Sequence, residues 1–365
     1  MKHRLIKILP ASAGRSKWIL DAVCLLLCLM MLVPIAGCFA NNSKPDAVIK
    51  ADETSETADN GFYVKNLDFC EVSDKETCRL LSIDLAYNTI AIRVFIYRLP
   101  RSETTSREIV LLYNLEGKLQ SQIDVYDAIG TDKVIVDSAI DTAGNLAIFA
   151  RMQDDDKVVH HYLYSFDSEG ELAGDPIELT FEEAILPISF IIGADGKMYF
   201  SEKYSVSRKT SPIYVFDSKG NMVFVTSKTN VTGILYQMDD MIYTVSKSGG
   251  AYSSEGVMLL PIDTESQNFG DSIDISKVTS SGGIPYAGSD GFYQLNLEGV
   301  YAINLDSEDT REVILWKDTD LDLSSQMYDV FPAAVVSSDK IFLFSSTKTG
   351  VEGATAVTVS LLTRE

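Results

Sequence analysis

Apolar and polar residues alternate along most of the chain after the first sixty positions, in short stretches separated by turns rich in Asp, Gly or Asn. IDTAGNLAIFA (140–150) and IGADGKMYFSE (192–202) are typical, and similar stretches follow at 236–246, 287–296 and 336–345. Alternation with a period of two on both sides of such a turn predicts a β-hairpin, because Gly or Asn accepts the positive φ that the turn needs. The pattern therefore predicts an all-β fold built from hairpins.

The hairpins recur in the order and spacing of a repeat protein. FDSEGEL (166–172) returns as FDSKGNM (216–222). A period of roughly 40 to 55 residues that contains only strands is typical of a β-propeller, with one unit for each blade. A long first unit and a short fifth unit leave a seven-bladed ring as an alternative to six blades. The six predicted units are 79–125, 136–179, 188–227, 234–275, 283–316 and 331–363.

The sixth unit contains only three stretches that predict strands, whereas the others have room for four. The missing strand is available near the other end of the chain, where GFYVKNLDF (61–69) precedes the first unit. We expect this segment to pair with the last blade. Such pairing closes the ring and removes exposed strand edges, which are prone to pair with other chains.

The first forty residues have a different character from the rest. Lys2, Arg4, Lys7, Arg15 and Lys17 form a basic start, and the stretch from 22 to 40 carries no charge. A basic start followed by an apolar stretch is typical of a secretion signal, although this stretch is also long enough for a membrane-spanning helix. Because the positive flank stays in the cytoplasm, both alternatives place the rest of the chain outside.

The end of the apolar stretch, Ile35-Ala36-Gly37-Cys38, resembles the lipobox of bacterial lipoproteins. In that family a signal peptidase cuts before the cysteine, and the thiol carries a diacylglycerol. The resemblance implies that 1–37 is a signal peptide, that Cys38 is lipidated and labelled by palmitate, and that the protein sits on the extracytoplasmic face of a bacterial cell membrane. The alternative is an ordinary cysteine inside a membrane helix. Two or more acyl chains would anchor the protein stably.

The segment after Cys38 predicts a tether. Residues 41–60 contain few large apolar side chains and no aromatic ring, so 38–60 is expected to form the lipidated cysteine and a flexible linker. The propeller is then expected to occupy 61–365.

Cys70 and Cys78 remain after lipidation of Cys38. In an oxidising compartment these two can form a disulfide that closes a short loop, and two separate thiols are the alternative.

The chain is strongly acidic, with a formal net charge of −21 at pH 7. Removal of the basic signal segment would make it more acidic still. This charge argues against a nucleic-acid partner, because phosphate backbones need positive charge. It also argues against a second, electrostatic contact with an anionic membrane. Solubility at a cell surface is a sufficient explanation of the charge.

The residues most able to support chemistry do not form a recognised catalytic or metal-binding set. His160 and His161 are adjacent in a predicted strand, so their side chains point to opposite faces and cannot hold one metal together. Asp154, Asp155 and Asp156 are consecutive and lack the Gly turn of a calcium loop. We therefore expect no catalytic residue, no metal and no cofactor.

The turn acids Asp141, Asp195, Asp290 and Asp339 invite a catalytic interpretation, since hydrolysis of a glycoside needs two carboxylates at about 5 to 10 Å from each other. Asp in a turn, however, also accepts local backbone hydrogen bonds. A catalytic pair would be unique, and these residues repeat, which favours a structural role. An enzyme would instead be marked by a non-repeated carboxylate pair with shifted pKa values in the central funnel.

Units two and three share the pattern Asp-x-x-Gly-Asn/Lys, an aromatic-aliphatic strand, a variable loop and FDxxG, and this pattern resembles six-bladed NHL and TolB-like propellers. The chain is also similar to the propeller-like N-terminal part of some large solute-binding lipoproteins on Gram-positive cells. The resemblance implies the propeller architecture. The lipobox, the repeat and the lack of a catalytic set favour a non-enzymatic module that binds an extracellular ligand or a membrane protein in support of solute uptake. The alternatives are a polysaccharide hydrolase or lyase and a structural assembly factor.

Overall fold

The chain folds into six antiparallel sheets that form the six blades of a ring. The prediction of an all-β, six-bladed propeller is confirmed, and the seven-bladed alternative is wrong. The computed structural model describes residues 48–49, 56–57, 61–73, 75–98, 106–181, 187–202, 210–238, 240–247, 256–276, 284–295, 298–304, 307, 309–318, 333–348 and 355–364.

Four short strands precede the first complete blade. They are β1 (Val48–Ile49), β2 (Glu56–Thr57), β3 (Tyr63–Asn66) and β4 (Phe69–Cys70). β1 pairs with β4, and β2 pairs with β3. Both β1 and β2 lie within the segment predicted as a tether, so the chain contacts the propeller at two points before residue 61.

The first three blades each contain four strands in chain order, from the centre of the ring outward. Blade 1 ends in a short helix, α1 (Val125–Ile129), which Asp124 caps by accepting a hydrogen bond from the backbone N–H of Asp127. The strands of these blades are β5 (Glu76–Ala86), β6 (Thr89–Arg98), β7 (Arg107–Asn114), β8 (Leu119–Asp124), β9 (Val134–Ile140), β10 (Leu146–Gln153), β11 (Val159–Phe166), β12 (Ile177–Leu179), β13 (Pro187–Ile192), β14 (Met198–Glu202), β15 (Ile213–Phe216) and β16 (Met222–Thr226).

Blades 4 and 5 repeat this arrangement. In blade 4 the third strand pairs with two short segments in succession, and blade 5 is followed by a turn of 3-10 helix at Trp316–Asp318. The strands are β17 (Val231–Met238), β18 (Met241–Lys247), β19 (Val257–Asp263), β20 (Asn268–Phe269), β21 (Ile273–Asp274), β22 (Ile284–Ala287), β23 (Phe292–Leu295), β24 (Gly299–Asn304) and β25 (Asp309–Leu315).

The sixth blade is assembled from both ends of the propeller. Its inner strands are β26 (Ala333–Ser337), β27 (Lys340–Lys348) and β28 (Thr355–Thr363), and β3 is its fourth strand. β3 runs antiparallel to β28, with Asn66 opposite Ser360. The prediction that a strand within 61–69 closes the ring is therefore confirmed.

Apolar clusters fill each of the six interfaces between neighbouring blades. The interface between blades 2 and 3 is rich in aromatic rings, with Phe149 and Phe200 at 4.7 Å between ring centroids. Because a blade packs against a neighbour on each face, its middle strands are buried on both faces and read as continuous apolar runs. β6, with the sequence TIAIRVFIYR, is such a strand.

No helix within the described part of the chain is long and apolar enough to cross a membrane. The predicted signal segment, 1–37, and the predicted lipidation site, Cys38, lie outside the described residues.

Candidate functional site

The repeated turn acids lie in the first hairpin of their blades, between the innermost strand and the second strand. The carboxylate Oδ1 of Asp141 accepts hydrogen bonds from the backbone N–H groups of Ala143 and Asn145, at 2.8 and 2.9 Å. Asp195 accepts one from the backbone N–H of Lys197 at 3.0 Å. These carboxylates hold their own turns, in the manner that turn Asp residues favour.

A cavity of about 420 Å³ lies at the centre of the ring, where the innermost strands of all six blades meet. Its volume falls in the range of small-molecule sites, which is about 300 to 1,000 Å³. Much of its wall is apolar, and the rings of Phe190, Tyr236 and Tyr286 contribute to it. We call this cavity the central channel.

Charged residues reach the central channel at the seam between blades 1 and 2. Ser82 on β5 lies directly opposite Arg93 on β6, and Asp84 lies two residues after Ser82, so the three side chains share one face of blade 1. The hydroxyl of Ser82 donates a hydrogen bond to Asp84 at 2.7 Å. Asp137 on the innermost strand of blade 2 accepts one from the backbone N–H of Phe190 at 2.9 Å.

Arg93 joins the two blades through long-range ion pairs. Its Nη1 lies 3.6 Å from Oδ1 of Asp137, and its Nε lies 3.5 Å from Oε1 of Glu108 on β7. Its Nη2 donates a hydrogen bond to the backbone carbonyl of Val136 at 3.4 Å. Asp84, Arg93, Glu108 and Asp137 together form a cluster that we call the charged seam. It contains three carboxyl groups and one guanidinium group.

The charged seam shifts the pKa values of its carboxyl groups upward. Burial raises the pKa of Asp137 to about 7, with a further rise from the negative charge of Asp84 and a partial reduction by Arg93. Burial also raises the pKa of Glu108 to about 7. The pKa of Asp84 is raised for the same reason. Removal from water disfavours the ionised form of a carboxyl group, so these groups keep protons that exposed carboxyl groups would lose.

None of the four residues of the charged seam was identified from the sequence, because they come from four different strands and do not repeat between blades. A signal was nevertheless present. Arg93 is a single charge within the apolar run of β6, and Glu108 is a single acid before the apolar run of β7. A lone charge in a strand that is otherwise buried indicates a charged partner in the fold.

His160 and His161 have different surroundings, as their adjacent positions predict. The ring of His161 is buried and stacks on Phe149 at 5.6 Å between centroids. Burial lowers the pKa of His161 to about 4. His160 is more exposed, and its ring nitrogens lie 2.8 Å from Glu178 Oε1 and 3.1 Å from Asp154 Oδ2. These two hydrogen bonds raise the pKa of His160. Within the described residues no group of three or more His, Cys, Asp or Glu side chains could hold a metal ion.

Cys70 and Cys78 are both buried in the apolar cluster between blades 6 and 1, and both carry a thiol in the structure. Burial raises the pKa of the Cys70 thiol to about 12. Burial also raises the pKa of the Cys78 thiol, with a further rise from the negative charge of Cys70. The disulfide between them remains a prediction.

Trp316 is buried between blades 5 and 6 and presents no stacking surface for a sugar.

No family model and no curated protein sequence matches the chain. Similar solved structures include the β-propeller domain of the Trilobed protease from Pyrococcus furiosus, with 12% identity over 78% of this chain and 81% of that chain and a TM-score of 0.40. The parainfluenza virus 5 hemagglutinin-neuraminidase ectodomain has 10% identity over 97% and 96% of the two chains, with a TM-score of 0.44.

The acylaminoacyl peptidase of Pyrococcus horikoshii is another similar structure, with 10% identity and a TM-score of 0.42. The match covers 79% of this chain and 46% of the peptidase chain, so it spans less than half of that protein. The sheets of the chain itself define a six-bladed β-propeller.

Proposed function

We propose that this protein is a lipid-anchored, extracytoplasmic β-propeller that binds a ligand without transforming it, in support of solute uptake. The lipobox-like segment Ile35–Cys38 supports the anchor, the acidic charge supports a surface location without nucleic acid, and the central channel supports ligand binding. The partner is an extracellular solute or a neighbouring membrane protein. The observation that carries the proposal is the central channel, which combines an apolar wall with a single charged seam.

The carboxyl groups of the charged seam also bear on the alternative, a polysaccharide hydrolase or lyase. They form the non-repeated group with shifted pKa values that would mark such an enzyme. In glycoside hydrolysis, however, one carboxyl group is protonated and the other ionised, which requires environments that push the two pKa values apart. The pKa values of Asp84 and Asp137 are both raised. Both shifts have burial as their largest cause, and the hydrolase or lyase stays the alternative that the reducing-end assay tests.

Metabolic labelling with palmitate tests the anchor. Cys38→Ala should abolish labelling of the protein and release it from the membrane fraction, whereas the matched variant Cys70→Ala should keep both. Labelling that persists in Cys38→Ala would overturn the lipoprotein assignment.

A reducing-end assay tests binding against hydrolysis. The wild-type protein should release no new reducing ends from soluble polysaccharides, chitosan among them. Release that disappears in Asp137→Asn would overturn the non-enzymatic proposal and establish the hydrolase. The two assays are independent, since one reports on Cys38 and the other on the propeller.

A further inference from the structure

The charged seam is incompletely paired, and this is the observation that points to a ligand. Arg93 is only 7% exposed, yet within the described part of the chain neither its Nε nor its Nη1 has a hydrogen-bond partner. Oε1 of Glu108, on a side chain that is also buried, has none either. Buried polar groups are normally hydrogen-bonded, and leaving one unpaired costs about 1 to 3 kcal/mol.

The distances in the charged seam explain why these atoms are unpaired. The two ion pairs of Arg93 span 3.5 and 3.6 Å, which exceeds the usual length of an N–H···O hydrogen bond. Arg93 is one of the residues that line the central channel, and its Nε and Nη1 are buried at this part of the channel wall. A ligand that supplies both a donor and an acceptor, such as a hydroxyl group, would complete these contacts.

The charge balance of the seam selects a positive ligand. Arg93 can neutralise one of the three carboxyl groups, Asp84, Asp137 and Glu108, and two negative charges remain when all three are ionised. Asp84 and Asp137 are the two that line the channel. An ammonium group supplies the matching charge and several N–H donors. A divalent metal ion fits less well, because calcium takes six to eight oxygen ligands and, within the described residues, no group of three or more His, Cys, Asp or Glu side chains is placed to hold a metal ion.

The rest of the channel wall suits the carbon skeleton of such a ligand. Phe190, Tyr236 and Tyr286 line the same cavity as the charged seam. Aromatic rings pack against the apolar face of a ring or chain and attract a nearby cation through their π electrons. The cavity therefore combines carboxyl groups, aromatic surface and, buried in its wall, the unpaired N–H donors of Arg93.

We infer that the charged seam binds the ammonium group of a small hydroxylated amine, such as an amino sugar, with Asp84 and Asp137 as its carboxylate partners and Arg93 as the donor to a hydroxyl oxygen. This assignment rests on the proposed function, for which it names the class of ligand. The amine enters the central channel with its ammonium group toward the seam and its carbon skeleton against the aromatic rings.

The raised pKa values of the seam give the binding a second readout. Asp137 is faced by Arg93, by Asp84 and by the backbone N–H of Phe190, while Glu108 is faced by Arg93, Tyr126 and Asp124. A bound cation stabilises the ionised carboxylates and so lowers their pKa values. Binding near pH 7 therefore releases protons to the buffer.

Isothermal titration calorimetry with glucosamine tests this assignment on the full propeller. Glucosamine should give saturable binding. Glucose, which lacks the ammonium group, N-acetylglucosamine, which has lost its charge, and butylamine, which lacks the hydroxyl groups, should each bind at least tenfold more weakly. The measured enthalpy should change with the ionisation enthalpy of the buffer, as expected for proton release.

Variants locate the binding. Asp84→Asn and Asp137→Asn keep the side-chain shape and an acceptor oxygen, and each should weaken glucosamine binding at least tenfold. Asp217→Asn, in an exposed turn where Oδ1 accepts from the backbone N–H groups of Lys219 and Asn221, is the matched control and should bind normally. Thermal melting of each variant checks that it is folded.

The results of these binding experiments distinguish a failure of the ammonium site from a failure of the proposed function. Absence of saturable heat with glucosamine, or equal binding of glucosamine and N-acetylglucosamine, would overturn the ammonium site. Equal binding of butylamine would overturn the role of the hydroxyl groups. None of these results depends on Cys38 or on polysaccharide cleavage, so a failure of the site is distinguishable from a failure of the proposed function.

Discussion

The hydroxyl of Ser360 on β28 donates a hydrogen bond to Oδ1 of Asn66 on β3 at 3.0 Å, although the two residues are 294 positions apart in the chain. The pairing of β3 with β28 continues on both sides of this contact. The backbone N–H of Leu67 donates to the carbonyl of Val359 at 2.8 Å, and the guanidinium of Arg364 lies 4.2 Å above the ring of Phe62. The last blade is thus complete only when both ends of the propeller contribute.

The first prediction concerns the two histidines. The imidazole of His160 should titrate above the ordinary histidine value of about 6.5, and that of His161 should titrate near pH 4. The cause is that His160 lies between two carboxylates while His161 is buried among aromatic rings. NMR titration of the imidazole resonances measures both values. In urea the two histidines should titrate together, and identical titrations in the folded protein would contradict the described surroundings.

The second prediction concerns the pH dependence of stability. The folded-state pKa of Asp137, about 7, lies above the unfolded value of about 4, so the folded protein binds a proton that the unfolded chain releases. This contribution to stability is present below pH 4 and is lost as the pH rises through 7. Asp137→Asn has no such proton. The free energy of unfolding of the variant should therefore rise relative to wild type between pH 5 and pH 8, by about 1 kcal/mol or more.

Urea unfolding at the two pH values measures this difference. Asp217→Asn again serves as the control, because its carboxyl pKa is lowered by hydrogen bonds from Asn221 and its stability contribution is already present at pH 5. A constant difference between Asp137→Asn and wild type would show that Asp137 is ionised normally in the folded protein.

The third prediction concerns Cys70 and Cys78. We expect these cysteines to form a disulfide in protein exported to an oxidising compartment, since both lie in one buried cluster. A short loop closed in this way stabilises a protein by about 2 to 3 kcal/mol. Mass spectrometry of the non-reduced protein should find the two cysteines in one linked peptide pair. Two alkylated thiols after unfolding without reductant would contradict the bridge.

Much of the fold follows from local sequence. Gly144 takes a positive φ in the turn after Asp141, and Gly196 does so in the turn that contains Asp195. The repeated pattern of Asp followed by Gly predicts both. The period of the hairpins predicted six blades, with seven as the alternative, and the segment 61–69 was expected to close the ring because the last unit lacks a strand. The turns depend on neighbouring residues, and the blades and the missing strand follow from the number of predicted strands in each repeat. A single sequence is therefore enough to predict them.

The charged seam could not be predicted in the same way. Asp84, Arg93, Glu108 and Asp137 meet only because blade 1 packs against blade 2, and their contact depends on register and on the rotation between the two blades. The middle strands are buried on both faces, so their sequences are continuous apolar runs without the alternation of a half-buried strand. The sequence therefore does not show which face of these strands a charged side chain occupies. A lone charge such as Arg93 in β6 was the one sequence signal available.

The most direct test of the account is whether the N-terminal strand closes the ring, because the central channel is lined by all six blades. Two truncated chains separate the possibilities, one that begins at Gly61 and keeps β3, and one that begins at Leu67 and lacks it. Loss of β3 removes its backbone hydrogen bonds, worth about 0.5 to 1.5 kcal/mol each, and the buried ring of Phe62, worth about 1.5 to 3 kcal/mol.

The measurement is the thermal unfolding midpoint of the two truncated chains, followed by calorimetry or circular dichroism. The chain that begins at Gly61 should melt close to the full-length protein. The chain that begins at Leu67 should melt at least about 5 °C lower, since 1 kcal/mol corresponds to about 2 to 4 °C in a domain of 150 to 250 residues. Equal melting temperatures for the two chains would contradict the closure and with it the ring.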